Sequence, residues 1–232
     1  MLAGAAHSCG ITAFSHMYCW GDNQYGQLGV GSTDGASAPQ QVSDPSAEPD
    51  LDWAMGLAGL YNTCGVSKTH AVYCWGRAAY GMNGNSQTVY DATSPVAVSH
   101  SFTAPVAMAG SGNTAYLLDQ GGDLYVWGSN VDGQSGLDLQ VNTIGAPVLL
   151  VQKAVAAAGA ETYGCYIAAP VKNNVLYCVG GNANGQLGIG STASQQVPAQ
   201  VDSNNGLQWE EIAAGPNAAY GTQALAPVQQ EE

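Results

Sequence analysis

The chain is poor in charge, and poorest in positive charge. Of its 232 residues only 9% are charged, with 4 Lys plus Arg against 17 Asp plus Glu, a formal net charge of −13. Such a surface repels phosphate backbones and anionic lipid and leaves no basic patch to assemble, which excludes direct nucleic-acid binding. Long apolar runs are also missing: none approaches the roughly 18 residues that a membrane helix requires. The opening residues, MLAGAAHSCG, have neither the basic start nor the apolar stretch of a signal peptide, so an exported form is expected to be represented here by its mature part or a fragment. No Asn-x-Ser/Thr sequon occurs, and N-glycosylation therefore gives no information on compartment.

Glycine and proline fill the space that charge leaves. With 31 Gly, 10 Pro and 46% hydrophobic residues, the composition points to many short strands and tight turns rather than long amphipathic helices, an all-β fold. Two stretches are near copies: CWGDNQYGQLGVGS from Cys19 to Ser32 and VGGNANGQLGIGS from Val179 to Ser191. Aligned on Trp-Gly, the pairs Trp20-Gly21, Trp75-Gly76, Trp127-Gly128 and the degenerate Val179-Gly180 are spaced by 55, 52 and 52 residues. The Ala-Gly pairs ending at Gly4, Gly59, Gly110, Gly159 and Gly215 count a similar unit, at intervals of 55, 51, 49 and 56. Repeats of this length signify a stacked array in which each unit buries its face on its neighbours.

Each unit reads as four strands: an apolar run ending in Ala-Gly, a short strand such as HSCGIT or NTCGVS, the YCWG strand, and a segment holding Pro39, Pro95, Pro147 or Pro198. The expected limits are 3–55, 56–107, 108–156 and 157–211, with a partial unit at 212–232, all in a single domain. Gly26, Gly29 and Gly31, repeated as Gly185, Gly188 and Gly190, fall where a backbone with positive φ or a close approach is expected. Trp53 and Trp209, each six residues before an Ala-Gly anchor, are expected to pack between neighbouring units, at places filled by Ala104 and Lys153 in units three and four.

These motifs together resemble the regulator-of-chromosome-condensation family, whose repeats build β-propellers of four-stranded blades. The likeness is most specific in units one and four, departs at GRAAYGMNGN in unit two, and keeps only an outline at WGSNVDGQSGLD in unit three. It implies a β-propeller, or partial propeller, of about four to five four-stranded blades. Family propellers usually have seven repeats, so the sequence is expected to be a portion of a longer polypeptide. The other reading is that the C-terminal WEEIAAG strand completes the first blade in a small ring or arc.

Six cysteines form three close pairs in sequence: Cys9 with Cys19, Cys64 with Cys74, and Cys165 with Cys178. Each pair falls on adjacent strands of one hairpin, and in unit three both places change together, to Ala115 and Val126. Partners in a bond behave in this way, and opposed positions on antiparallel strands lie within disulfide reach. Competing readings are a zinc site, which would need closer pairs or partnering His, and reduced core thiols. Three disulfides imply an extracytoplasmic setting: secreted, cell-surface or in an oxidising organelle lumen.

Chemistry-bearing patterns each have a plainer account. The GQLGVGS and GQLGIGS loops lack the Lys and the helix of a nucleotide cradle. Ser8, His7 and Asp22 have triad residue types without a nucleophile elbow. His7, His16, His70 and His100 show no metal-type spacing, and the acidic set Asp44, Glu48, Asp50 and Asp52 matches no calcium loop. No catalytic residue, cofactor or metal is therefore expected, and no small-molecule ligand. Twelve Tyr against two Phe suggest wet aromatic anchors, with Tyr25, Tyr61, Tyr80 and Tyr90 as candidate interface residues. The function expected is a non-enzymatic scaffold subunit that binds another protein or a multi-subunit complex through blade loops or an uncovered strand edge. A secreted inhibitor or glycan-binding propeller is the alternative. Guanine-nucleotide exchange, a role the resemblance also implies, is opposed by the acidity and the cysteines.

Overall fold

The computed structural model describes residues 1–45, 50–86, 90–138, 140–169, 174–201, 208–215 and 218–223. The described chain is all-β, with one short 3-10 turn at Ala79–Gly81. Blade 1 comprises β1 (Leu2–Ala3), β2 (His7–Ile11), β3 (Met17–Gly21) and β4 (Ala36–Gln41). Blade 2 comprises β5 (Trp53–Ala58), β6 (Asn62–Ser67), β7 (Val72–Gly76) and β8 (Ala92–Ala97). Blade 3 is β9 (Pro105–Ser111), β10 (Thr114–Asp119), β11 (Leu124–Ser129) and β12 (Thr143–Val151), and blade 4 is β13 (Ala154–Gly159), β14 (Tyr163–Ala168), β15 (Val175–Gly180) and β16 (Gln195–Gln200). A two-stranded sheet, β17 (Trp209–Ala214) with β18 (Ala219–Gln223), opens a fifth unit.

Every blade is an antiparallel meander in sequence order. The first strands β1, β5, β9, β13 and β17 pack on one another in succession and form the inner wall. The fourth strands carry the prolines Pro39, Pro95, Pro147 and Pro198. An outer strand suits them, because proline has no N–H to give to a ladder and is confined to sheet edges. The core is divided accordingly. One cluster joins Cys9, Met17 and Leu28 of blade 1 to Trp53, Tyr73 and Trp75 of blade 2. A second joins Val66 and Met82 to Leu117 and Trp127, and two more join blades 3 and 4 and blade 4 with β17. Hydrophobic burial therefore acts between blades, as expected of repeats that cannot cover their own faces. Trp53 is 2% exposed and seals the first of these interfaces, with its ring 5.9 Å from Tyr73 and 5.6 Å from Trp75.

Register explains the cysteines. Cys9 lies opposite Cys19, Cys64 opposite Cys74 and Cys165 opposite Cys178, and each pair is disulfide-bonded with Cα atoms 4.1 Å apart. In blade 3 the residue opposite Val126 is Tyr116, whereas Ala115 faces Trp127. The expectation that Ala115 replaces the cysteine is thus corrected by one position. The slip comes from the Ala-Gly anchors, which are not equivalent. Gly4, Gly59 and Gly215 begin the turn after the first strand, while Gly110 and Gly159 are still within theirs. The notion that WEEIAAG completes the first blade is also overturned: β17 pairs with β18, and blade 1 has its own inner strand at Leu2–Ala3.

A bond that closes ten residues stabilises by about 2.5–3 kcal/mol in the chain-entropy model. The double variant Cys64→Ala/Cys74→Ala is expected to lose about that much, read as a lower urea midpoint, with a slope that rises if it changes because the released unfolded chain is more expanded.

Candidate functional site

One end of the blades carries the four β3–β4-type loops and the turns between first and second strands, because each second strand begins opposite the Gly at or next to the end of the third: His7 opposite Gly21, Asn62 opposite Gly76, Thr114 opposite Gly128 and Tyr163 opposite Gly180. The residue after that Gly returns its N–H to the turn. Asp22 donates to Ala6 O at 2.8 Å, Arg77 to Tyr61 O at 2.9 Å, Ser129 to Asn113 O at 2.7 Å and Gly181 to Thr162 O at 2.8 Å.

Inside the loops an asparagine acts as a strut. Asn23 accepts the Leu28 N–H at 2.9 Å through Oδ1 and donates through Nδ2 to the carbonyls of Ser32 and Asp34, both at 2.9 Å. Asn182 makes the same three bonds to Leu187, Ser191 and Ala193, and Asn130 bonds Ser135 and Val141. Blade 2 has Ala78 at this place, and its N–H donates instead to Asp91 Oδ1 at 2.9 Å. These asparagines were not singled out from the sequence. Their signal was available: each stands two residues after the Gly of the Trp-Gly position, Gly21, Gly128 or Gly180.

The glycines of the loops have positive φ: 83° at Gly26, 70° at Gly29 and 84° at Gly31, then 75°, 65° and 74° at Gly185, Gly188 and Gly190. Gly29 carries a further constraint. A Cβ there would lie 2.5 Å from Nε1 of Trp75, which donates to the Gln27 carbonyl at 3.0 Å. The loop of one blade is therefore a seat for the indole of the next. Trp127 repeats the arrangement on Met82 O at 3.1 Å, above Gly84. At the third loop Val179 has no side-chain N–H to give, and the Gln134 carbonyl is taken at 2.6 Å by the hydroxyl of Tyr116. Tyr116 lies where other blades have a cysteine, and its ring covers Gly159 and Gly164. Burial pushes its phenol well above the usual range. Trp20 of blade 1 is half-buried.

Beside the first seat lies His7, 3% exposed. Its Nε2 is 2.9 Å from Thr63 Oγ1, and Thr63 gives its single hydroxyl proton to Gln27 O at 2.8 Å. Nε2 is therefore the protonated nitrogen, and Nδ1 is buried without a partner among the described residues. Desolvation pushes the imidazole down to about 4, against a smaller opposing pull from Asp22. Ser8, His7 and Asp22 form no triad, since the imidazole is committed to Thr63. The remaining histidines are scattered: His100 rings with Phe102 and Tyr125 at 4.6 and 4.7 Å, away from the loop end. Asp44 accepts the Asp50 N–H at 3.1 Å and Asp52 pairs with Lys68 at 3.2 Å, while Glu48 lies outside the described residues. No three His, Cys, Asp or Glu side chains converge on a metal position among the described residues.

The tyrosine candidates divide. Tyr25 of blade 1 and Tyr61 of blade 2 meet with ring centroids 5.1 Å apart, and the Arg77 guanidinium lies 5.0 Å from the first ring and 5.6 Å from the second. Arg77 is the sole arginine of the sequence. No carboxylate pairs with it among the described residues, so its planar fork of donors is held by cation–π contact. Tyr80, 40% exposed with φ 63°, and Tyr90, 79% exposed, are on the same loop end but make no ring contact with this pair among the described residues. Arg77 was missed because only stacking of blade 1 on blade 2 brings it to Tyr25.

The family profile described as "Regulator of chromosome condensation (RCC1) repeat" matches residues 16–56 and 173–219, and a second profile of the same description matches 3–27. The chain belongs to the RCC1-like repeat family. It is 30% identical over 208 residues to the ultraviolet-B receptor UVR8 of Arabidopsis thaliana, covering 87% of this chain and 45% of that protein. To the mitochondrial RCC1 domain-containing protein RUG3 of the same plant it is 28% identical, covering 91% of this chain and 48% of that one. Among solved structures it superposes on yeast RCC1 (Prp20), determined bound to Kap60, with a TM-score of 0.81 at 17% identity, over 97% of this chain and 53% of that one. The chain thus spans about half the length of these RCC1-type relatives, and the propeller fold is shared with the solved one.

The His7 environment fixes a pH dependence. An imidazole held near 4 in the fold and at 6.5 when unfolded takes up its proton preferentially in the unfolded chain, so stability is intact above pH 6.5 and falls as pH drops toward 4. The loss attributable to His7 amounts to about 3 kcal/mol at pH 4. Urea unfolding of wild type and His7→Asn at pH 7 and pH 4 checks this: the variant, which copies Asn62 of blade 2, is expected to lose that much less on acidification.

Proposed function

We propose that this RCC1-like propeller segment is a non-enzymatic protein-interaction module, a scaffold subunit of a larger assembly, that engages its partner through the loop end of the blades. The observation that carries the reading is the Tyr25–Arg77–Tyr61 cluster. Tyrosine and arginine are the residue types that dominate interface energetics, because they combine large contact area with directional donors. In a chain of net charge −13, the lone arginine set on two rings is the feature that can receive a carboxylate of a partner while the surrounding surface repels unsuitable ones. That yeast RCC1 was solved in complex with Kap60 supports protein binding as a use of this fold. An oxidising compartment is supported by the three disulfides and the lack of free cysteine.

Binding of the native partner, isolated by co-purification and size-exclusion from native extract, is expected to weaken at least tenfold in Arg77→Ala and in Tyr61→Ala, with Arg77→Lys intermediate because it keeps charge and loses the fork. Unchanged affinity in all three would remove the loop end from consideration. Thiol counting on freshly isolated protein, denatured without reductant, addresses the compartment: no reactive thiol is expected, and six would overturn that assignment.

A further inference from the structure

The stretch GRAAYGMNGN of blade 2 departs from the repeat in two linked places. Ala78 replaces the strut asparagine of the other loops, and Asn83, two residues after Gly81, stands where blades 1 and 4 have Leu28 and Leu187 and blade 3 has Ser135. Leu28 and Leu187 belong to the inter-blade core and are fully buried. Asn83 is buried almost as deeply, at 1% exposure, yet it brings a carboxamide, and neither its Oδ1 nor its Nδ2 has a hydrogen-bond partner among the described residues. Buried polar groups in that state are destabilising and rare in native proteins.

Asn83 is in the wall of a cavity of about 310 Å³, at the lower end of the volumes that hold small molecules. Ala78, Tyr80 and Ser86 of the same loop form one side, and Thr143 and Gly145 of β12 the other. The two sides are fixed to each other. Ser86 donates its N–H to Gly145 O at 2.8 Å, and Gly81, with φ +75°, packs so closely that a Cβ on it would lie 2.8 Å from Gly145 Cα. Ala78 borders the cavity and stops short of where the carboxamides of Asn23, Asn130 and Asn182 reach, so the missing strut leaves room. Tyr80 precedes Gly81 as Tyr25 precedes Gly26. Tyr25 is engaged with Tyr61 and Arg77, whereas Tyr80, 40% exposed, makes no ring contact among the described residues. No charged side chain lines the cavity among the described residues; its side-chain polar groups are amides and hydroxyls.

We propose that this cavity binds a neutral sugar unit, free or at the end of a glycan. The Asn83 carboxamide turns about its soft terminal torsion into the cavity, where one ring hydroxyl donates to Oδ1 and its neighbour accepts from Nδ2. The bonds that Asn83 lacks in the free chain favour that turn. Ser86 and Thr143 reach further hydroxyls, and the apolar face of the sugar lies on the Tyr80 ring. A lone amide group would match Asn83 but leave both hydroxyls unused, and an acidic sugar would be repelled by a chain of net charge −13.

The site is separate from the Arg77 cluster and does not rest on the scaffold reading. The full chain, labelled with nitrogen-15, is titrated with the methyl glycosides of glucose, galactose, mannose and N-acetylglucosamine, and with N-methylacetamide as the amide probe. Saturable one-to-one binding of at least one glycoside is expected, with the largest shifts at the Asn83 side-chain amide, Tyr80 and Gly145. Asn83→Leu, which installs the residue of blades 1 and 4, should abolish binding without lowering the urea midpoint, and Tyr80→Ala should weaken it roughly fivefold. Arg77→Ala should leave it unchanged. Retention of the chain on immobilised glycans assigns the sugar to a glycan end, and binding of soluble glycosides alone to a free sugar. Saturation by no glycoside, saturation by N-methylacetamide alone, or undiminished binding in Asn83→Leu would each overturn the proposal.

Discussion

The contact on which the rest depends is the aromatic hydrogen laid on a loop carbonyl. A four-stranded sheet buries only one face against each neighbour, and with only 9% charged residues the stack is held by apolar burial, which has no direction of its own. The bond from Trp75 to Gln27, with Thr63 sharing the same acceptor, gives that burial a register. It also explains why Gly29 and Gly84 disfavour other residues, since a Cβ would fall 2.5 Å and 3.1 Å from the indole nitrogens, on backbones already at positive φ. Loop, neighbouring strand and inter-blade core are thus one cooperative element rather than three.

Blade 3 and blade 4 show how the element tolerates change. Losing the tryptophan at Val179 would leave the Gln134 carbonyl buried without a donor, and such an orphan costs about 1–3 kcal/mol. Tyr116 supplies the donor from the loop's own blade, at the position vacated by the disulfide, and Gly159 and Gly164 make room for its ring. Three departures from the repeat, at 116, 164 and 179, are therefore a single compensated substitution. His7 is the uncompensated counterpart. It takes the Thr63 contact but leaves Nδ1 buried and unpaired among the described residues, and acid sensitivity is the physical consequence.

Electrostatically the molecule is a weak, acidic background with few cations to stand out against it. Lys68 is spent on Asp52. Arg77 is held by rings instead of carboxylates, so its donors stay available while its rotamer freedom is already reduced. Pre-organisation of that kind, on the end of the blades where the four β3–β4-type loops emerge, makes the loop end a better candidate for recognition than the inner wall of alanine-rich first strands.

The sequence by itself determined the repeat, the hairpin pairing and the disulfides, because these are local: Cys9 and Cys19 are ten residues apart, and the alternation of a strand places them without reference to any other blade. Even there a one-residue slip in the Ala-Gly anchor was enough to mistake Ala115 for Tyr116, since period-2 geometry sends neighbours to opposite faces. What only the tertiary structure decided are the contacts across blades. Trp75 with Gln27 are 48 residues apart, Tyr163 with Gly215 are 52 apart, and Arg77 joins Tyr25 across the first interface. Their existence follows from the rotation and spacing of one sheet on the next, a packing outcome that no local pattern of residues encodes.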